Sequence, residues 1–351
     1  DDKTMKNLIF VGFLFLFNIL GVEMCAQEED ILKEFENTSG ISIGVFKNGN
    51  MVYYASNGYS NLDKKTTITD STNFRLASFS KQFTAICIML LRDEGKLNIE
   101  QTLCDIFPEF PEYGKKITIK HLLTHTSGLI DYEDLLTDES YQVLDKDVLN
   151  IMCNIDSTYF EAGTDFRYSN TAYALLAMIV EKISGKKYSE FLYERIFKPV
   201  GMYNSVAYRK GENEVVNRAF GYATESGKIV YSDQSNTSAV WGDGGIYSSV
   251  KDILLWDNIL YTEKLISQKT LKEIYTNYIK TDRENTGYGF GWYIDSYKGI
   301  KRFYHTGETC GFRTVFQRYP EKHVSIVVLA NNRDTEVMNI ANKIIEKYLT
   351  N

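Results

Sequence analysis

Two hydrophobic periods divide this chain, and their order limits what it can fold into. Residues 40–60, GISIGVFKNGNMVYYASNGYS, alternate apolar and polar around KNGN, which predicts a β-hairpin. From about residue 287 the same period of two returns in GYGFGWYID, KRFYHTGET, GFRTVFQRYP and HVSIVVLANN, which read as successive short strands. Between them the period is helical. AICIMLLRDEGKL closes at Gly95, TIKHLLTHTSG at turn residues and TAYALLAMIVEKISG at Gly185, entered after Asn170; VKDILLWDNILY is a fourth helix and VMNIANKIIEKYL closes the chain. Strands at both ends with helices between them imply an α/β fold. One antiparallel sheet lobe, flanked by helices, is completed by the two chain ends (about 38–80 and 285–351). An all-helical lobe (about 81–284) is inserted into it. A ligand site is expected in the cleft between two such lobes.

The segment before the hairpin reads as a targeting element rather than as structure. The four residues ahead of Met5 look like a tag remnant. Lys6, the apolar run Leu8 to Val22 and Met24-x-Ala26 then form the basic, apolar and cleavage regions of a secretory signal peptide. The run is short for a membrane span, so membrane contact is expected only if the segment stays uncleaved. Residues 1–26 are therefore set apart from a domain of 27–351, expected to be periplasmic or secreted. Cys25 leaves with the signal. Cys87, Cys104, Cys153 and Cys310 remain, with no metal-knuckle spacing, and are expected to be mostly buried free thiols with room for one bridge. A formal charge of −7 with no basic run excludes a nucleic-acid footprint or a membrane-surface patch.

Ser78 and Lys81 stand three apart at a helix start, so the lysine projects along the same face as the serine. A serine at the positive end of a helix, beside a lysine drawn out of water, is a workable nucleophile and base. Ser-x-x-Lys also arises by chance, as a helix start with a solvated lysine. Tyr168, Ser169 and Asn170 precede the TAYALLAMIV helix, where Asn170 could cap the helix or hold both the lysine and a substrate carbonyl. His305, Thr306 and Gly307 lie in an alternating strand. Gly307 would allow close approach to the backbone, and the Glu308 N–H would join the Ser78 N–H as an oxyanion hole. HLLTH sets His121 and His125 at zinc-peptidase spacing, but Leu122 stands where those sites carry glutamate, and His323 has no acid near it. No metal and no organic cofactor is implied.

Taken in order, S-x-x-K, Y-S-N and H-T-G resemble the three active-site elements of the penicillin-recognising serine hydrolases, in the class C β-lactamase and D-alanyl-D-alanine carboxypeptidase branch. ITIKHLLTHTSGL, GDGGIYSSVKDILLW and YGFGW are similar to further segments of that family, in the same order, across about residues 38–348. The resemblance implies a β-lactamase/transpeptidase-like fold. It also implies an acyl-enzyme in which Ser78 attacks a carbonyl, Lys81 and Tyr168 relay its proton, and Asn170 holds the substrate amide. His305, Thr306 and Gly307 would line the substrate. Which of Lys81 and Tyr168 acts as base in each step stays open at this point. Class C β-lactamases have Lys-Thr-Gly where this chain has His305-Thr306-Gly307, and a neutral imidazole grips a carboxylate less well than a fixed cation. The H-T-G form also occurs in secreted D,D-peptidases. Glu308, if it faces the cleft, would repel an acidic substrate, with Arg313 either a compensating cation or a surface arginine. The expected substrate is a small molecule or peptide, with a D-amino-acid-containing, peptidoglycan-derived peptide first. An esterase, a β-lactamase and a non-catalytic peptidoglycan sensor are the alternatives.

Overall fold

The computed structural model describes residues 26–138 and 140–350. Residues 1–25 of the expected tag remnant and signal segment, Cys25 included, lie outside the described residues. Eight strands form one antiparallel sheet: β1 (Ile41–Lys47), β2 (Asn50–Asn57), β3 (Ile279–Lys280), β4 (Gly287–Tyr288), β5 (Tyr293–Tyr297), β6 (Ile300–Thr309), β7 (Phe312–Tyr319) and β8 (Val324–Ala330). Their order is β3-β4-β5-β6-β7-β8-β1-β2. The two chain ends therefore meet at the β8–β1 pair, in register from Ile41↔Ala330 to Lys47↔Val324. The predicted hairpin turns through Asn48 and Gly49, with φ of 50° and 82°; positive φ at both central residues matches the twist of the strands they join.

Strand β8 shows how the sheet is covered. Val324, Ile326, Val328 and Ala330 pack with Ile340, Ile344 and Ile345 of the closing helix Val337–Leu349, while Val327 and Leu329 point into the larger core on the other face. Period two along the strand thus serves two cores at once. Each such side chain contributes about 1.5–3 kcal/mol by leaving water. On the second face lies α1 (Lys81–Asp93), in which every residue from Lys81 to Leu91 is buried. A helix apolar on all sides belongs in the middle of a protein. The turn that leads into it is held to the sheet by the Phe79–Phe316 ring pair at 5.3 Å, and the helix itself to helix Val250–Ile259 by Phe83–Trp256 at 4.3 Å. Its other side packs against α2 (Asn170–Ser184).

Three local expectations are corrected. The helix read over 118–128 is only Ile119–Leu123, because His125 takes φ of 59° and turns its ring back into the core. Helix α2 is capped by Ser169, whose side chain accepts from the Ala172 N–H at 3.1 Å, so Asn170 is released from capping. The inserted region is not purely helical. Ile246–Ser248 pairs with Phe74–Arg75 and with Val206–Ala207, and Tyr222–Glu225 pairs with Lys228–Tyr231. The first of these pairings ties the strand that follows the short helix Trp241–Gly244 to the chain just ahead of Ser78. Cys87, Cys104, Cys153 and Cys310 are all free thiols.

Candidate active site

Ser78 sits in a single 3-10 turn, Ala77–Ser80, that runs straight into α1. Ala77 has φ of 51°, a strained value for a residue with a Cβ. The turn is held in that state by its neighbours: the Leu76 N–H donates to Ile246 O at 2.8 Å, and Leu76 O accepts from Thr314 Oγ1 at 2.7 Å. A Cβ on Gly307 would lie 1.9 Å from Leu76 O. Gly307 therefore admits the nucleophile's own backbone onto the strand, where the sequence reading had reserved the space for substrate. Of the turn, only Ser78 reaches solvent; Ala77, Phe79 and Ser80 are buried.

Because α1 is central, Lys81 is fully buried, and its ammonium must find its partners inside the protein. It finds three, matching its three N–H groups: Ser78 Oγ at 3.1 Å, Asn170 Oδ1 at 2.8 Å and the Asp243 carbonyl at 2.9 Å. Burial pushes Lys81 down to about 8, against the pull of Asp243. Burial raises the Asp243 carboxyl, which accepts from the Tyr132 hydroxyl at 3.1 Å. Sequence reasoning gave Asp243 no role. Its place is set by the Asp145 carboxylate, which accepts from the N–H groups of Trp241 and Gly242, both at 2.9 Å. That contact spans nearly a hundred residues and has no local signature; the GDGG segment was noticed only as a resemblance.

Tyr168 lies 4.8 Å below Lys81 Nζ, measured to the ring centroid. Its hydroxyl is buried and completes no hydrogen bond. Burial drives it far above the ordinary tyrosine range, while Ser78 is near enough to oppose that weakly. His305 does not face the cleft as expected. It is 1% exposed, and its ring stands behind Tyr168, 6.1 Å between centroids. The proton order around it follows from the donors available. The Ser169 N–H donates to His125 Nδ1 at 3.1 Å, so His125 carries its proton on Nε2 and gives it to Tyr288 Oη at 3.1 Å. Tyr288 O–H then donates to His305 Nε2 at 3.0 Å, and His305 Nδ1–H to Thr306 O at 2.6 Å. Every link is used once with both imidazoles neutral, and burial holds both well below the usual histidine range. His125, weighed in the sequence only as a metal ligand, is thus the tie between the Tyr168 and His305 segments. His121 caps its own short helix through Thr118, and the His323 ring lies tilted against Tyr261, 3.8 Å between centroids. Among the described residues, no group of His, Cys, Asp and Glu could hold a metal ion.

Strand β6 outruns β5: the last pair is Tyr293↔Tyr304, and His305–Thr309 are paired only with β7. Thr309 and Phe312 flank a two-residue turn and so exchange both hydrogen bonds. By alternation the Glu308 N–H points to the free edge, the direction an oxyanion-hole donor needs. The cleft at Ser78, about 50 Å³, is lined by Arg75, Tyr132, Glu133, Asn170, Thr237 and Glu308 among others. A larger polar groove of about 820 Å³ includes Gln234, which Arg75 Nη1 contacts at 3.4 Å. The Glu308 side chain is exposed and bound by Arg313 at 2.6 Å, so Arg313 is neither a free cation nor a bare surface arginine.

A family model described as Beta-lactamase matches residues 29–349. Penicillin-binding protein 4* of Bacillus subtilis is 32% identical over 323 residues, covering 86% of this chain and 70% of the relative. Among solved structures, the octameric penicillin-binding protein homologue from Pyrococcus abyssi superposes with a TM-score of 0.81 at 27% identity, over 92% of this chain and 76% of that one. A penicillin binding protein from Bacillus halodurans gives 0.78 at 26%, over 93% of this chain and 100% of that one. With a family match across almost the whole described chain, a relative of this identity and the same fold in two solved homologues, the protein belongs to the beta-lactamase family and is a serine hydrolase.

Proposed function

We propose that the protein is an exported hydrolase that cleaves amide bonds beside D-amino acids through an acyl-enzyme on Ser78. The observation that carries this reading is Lys81: buried, lowered to about 8, and bonded at once to Ser78 Oγ, Asn170 and the Asp243 carbonyl. A neutral amine in that position accepts the Ser78 proton as Oγ bonds to the substrate carbonyl carbon. Burial acts in opposite directions on the two candidate bases, lowering Lys81 and raising Tyr168. Lys81 is therefore the proton acceptor in acylation. Tyr168, with a hydroxyl that has no other partner, passes a proton to the departing amine nitrogen as the C–N bond breaks. The amide N–H groups of Ser78 and Glu308 take the charge that forms on the carbonyl oxygen. Water then attacks the ester carbon and gives a proton to the Tyr168 oxygen, and Ser78 Oγ leaves with the proton held on Lys81, so that both groups return to their starting state. The name of the Bacillus subtilis relative, a penicillin-binding protein, supports D-configured peptides as the substrate class. The apolar run of residues 8–22 supports export.

A fluorophosphonate and a fluorescent penicillin should both label the wild type and leave Ser78→Ala unlabelled. Labelling that persists in Ser78→Ala, or its absence from both proteins, defeats the acyl-enzyme reading and returns the chain to a binding role. Turnover of D-aminoacyl anilides and D-Ala-D-Ala peptides, set against p-nitrophenyl esters and nitrocefin, separates a peptidase from an esterase and a β-lactamase. Export is checked by the mass of the N-terminus after expression with residues 5–351 intact.

A further inference from the structure

The sheet carries a second recess, at the end away from Ser78. Strand β6 reaches the catalytic cleft at Glu308, and its other end leads away from it. At a rise of about 3.3 Å per residue, Lys301 lies roughly 23 Å from Glu308. A groove of about 470 Å³ opens there between helix Gln268–Ile274 and the strand ends, with Leu271 and Lys272 on one side and Lys301 and Phe303 on the other. Its floor is apolar. Leu260, Leu271 and Phe303 are buried members of the main core, and all three line the groove. The Tyr275 ring stacks on Phe303 at 4.2 Å between centroids and widens that floor into an aromatic surface.

The charges above the floor all have one sign. Lys272 and Lys301 are exposed and form no ion pair among the described residues, and no Asp or Glu lines the groove. Glu273, next to Lys272, is taken by Arg92 at 2.7 Å. Arg318 forms the back wall, but its charge is met by Asp257 at 2.6 Å, and its Nη1 donates to the Tyr275 hydroxyl and holds that ring in place. Lys301 Nζ stands 5.1 Å from the Phe303 ring centroid, so one free cation lies at the very edge of the apolar floor. In a chain of formal charge −7 this recess is the reverse of the Ser78 cleft, which Glu133 and Glu308 line. An exposed ion pair alone contributes little, and an apolar floor alone accepts any apolar body. Together they select a molecule that has both parts.

From this arrangement we infer a second binding site, for an aromatic organic anion: its rings rest on Leu260, Leu271 and Phe303, and its carboxylate or sulfonate is held by Lys272 and Lys301. The site lies outside the hydrolytic chemistry and does not depend on it.

Three probes separate the two parts. 1-Anilinonaphthalene-8-sulfonate carries rings and charge, N-phenyl-1-naphthylamine the rings alone, and methanesulfonate the charge alone. Titrated into the full chain, the first should bind saturably, whether or not the protein has been treated with a fluorophosphonate. The neutral amine should bind at least about fivefold more weakly, and methanesulfonate at the same concentration should not displace the dye. Lys272→Glu combined with Lys301→Glu should weaken the dye by about tenfold, while the paired Lys→Arg variant keeps the affinity. Neither pair should alter the p-nitrophenyl acetate burst. Dye binding that survives the charge reversal overturns the inference, as does equal affinity for the neutral amine. Loss of binding after fluorophosphonate treatment places the dye at Ser78 and overturns it too. A wild-type dimer that the glutamate pair dissociates makes the groove a contact between copies, and the inference falls with that result.

Discussion

The two sides of Ser78 handle charge in opposite ways. On the inner side Lys81, Asp243, His125 and His305 are all buried, and burial drives each one toward its neutral form. On the outer side Glu133 and Glu308 are exposed. Groups that must exchange protons benefit from an environment where neither state is strongly favoured, whereas groups that meet a substrate benefit from keeping full charge. The difference teaches that the inner wall sets the chemistry and the outer wall sets what reaches it. Substitutions on the two walls should therefore fail in different ways.

The inner wall should give the largest effect. Lys81→Ala removes the proton acceptor, and acylation measured by the p-nitrophenyl acetate burst should fall by at least about a hundredfold, or about 2.7 kcal/mol in the barrier. Near-normal acylation in that variant would assign the base elsewhere and end the comparison as drawn. His305→Lys restores the Lys-Thr-Gly form of the class C enzymes. The variant places a cation where the Tyr288 hydroxyl needs an acceptor and Lys81 already repels positive charge. It should lose about 2 kcal/mol of stability by thermal melting and gain no nitrocefin turnover. A stable variant that hydrolyses nitrocefin would show that position 305 reaches substrate after all.

That contrast also explains what could be read from residue order. The Asn48-Gly49 hairpin, the sheet shared by both chain ends and Ser78 with Lys81 are local patterns or motif spacings, and each was legible. Asn170 was legible as a functional residue, but its release from capping depended on Ser169 taking that place, a choice between adjacent residues that spacing does not decide. Asp243 was invisible because it meets Lys81 across 162 residues and is held there by Asp145 from a third segment. His305 was placed in the cleft because alternation along β6 gives two faces without saying which is covered. The ring of Tyr168 and the His125–Tyr288 chain cover it, and they come from three other parts of the sequence.

A subtler test of the inner wall is the pH dependence of acylation. Lys81 works as base once it has lost its proton, so the burst rate should rise as pH climbs through about 8 and level off above that. An ionised Asp243 favours the Lys81 ammonium. Asp243→Asn removes that attraction and keeps a group able to accept from Tyr132, so the rising limb should move to lower pH. A limb that stays in place or moves upward would remove Asp243 from the control of Lys81.

The smallest effect belongs to the outer wall. Arg313 and Glu308 form a cross-strand pair at 2.6 Å in which the glutamate side chain is 72% exposed. Water and salt screen such a pair, so Arg313→Ala should cost less than about 1 kcal/mol of stability. Its informative consequence lies in selectivity. Freed of its arginine, Glu308 adds an unneutralised carboxylate to the cleft, and kcat/KM for a substrate bearing a carboxylate should fall by about two- to threefold relative to its neutral counterpart, the loss fading in 0.5 M salt as screening increases. The acylation rate with p-nitrophenyl acetate, which carries no charge, should hardly move. If Arg313→Ala instead slows that neutral ester as much as a substitution at Asp243 does, the outer wall takes part in the chemistry, and the division between the two sides of Ser78 does not hold.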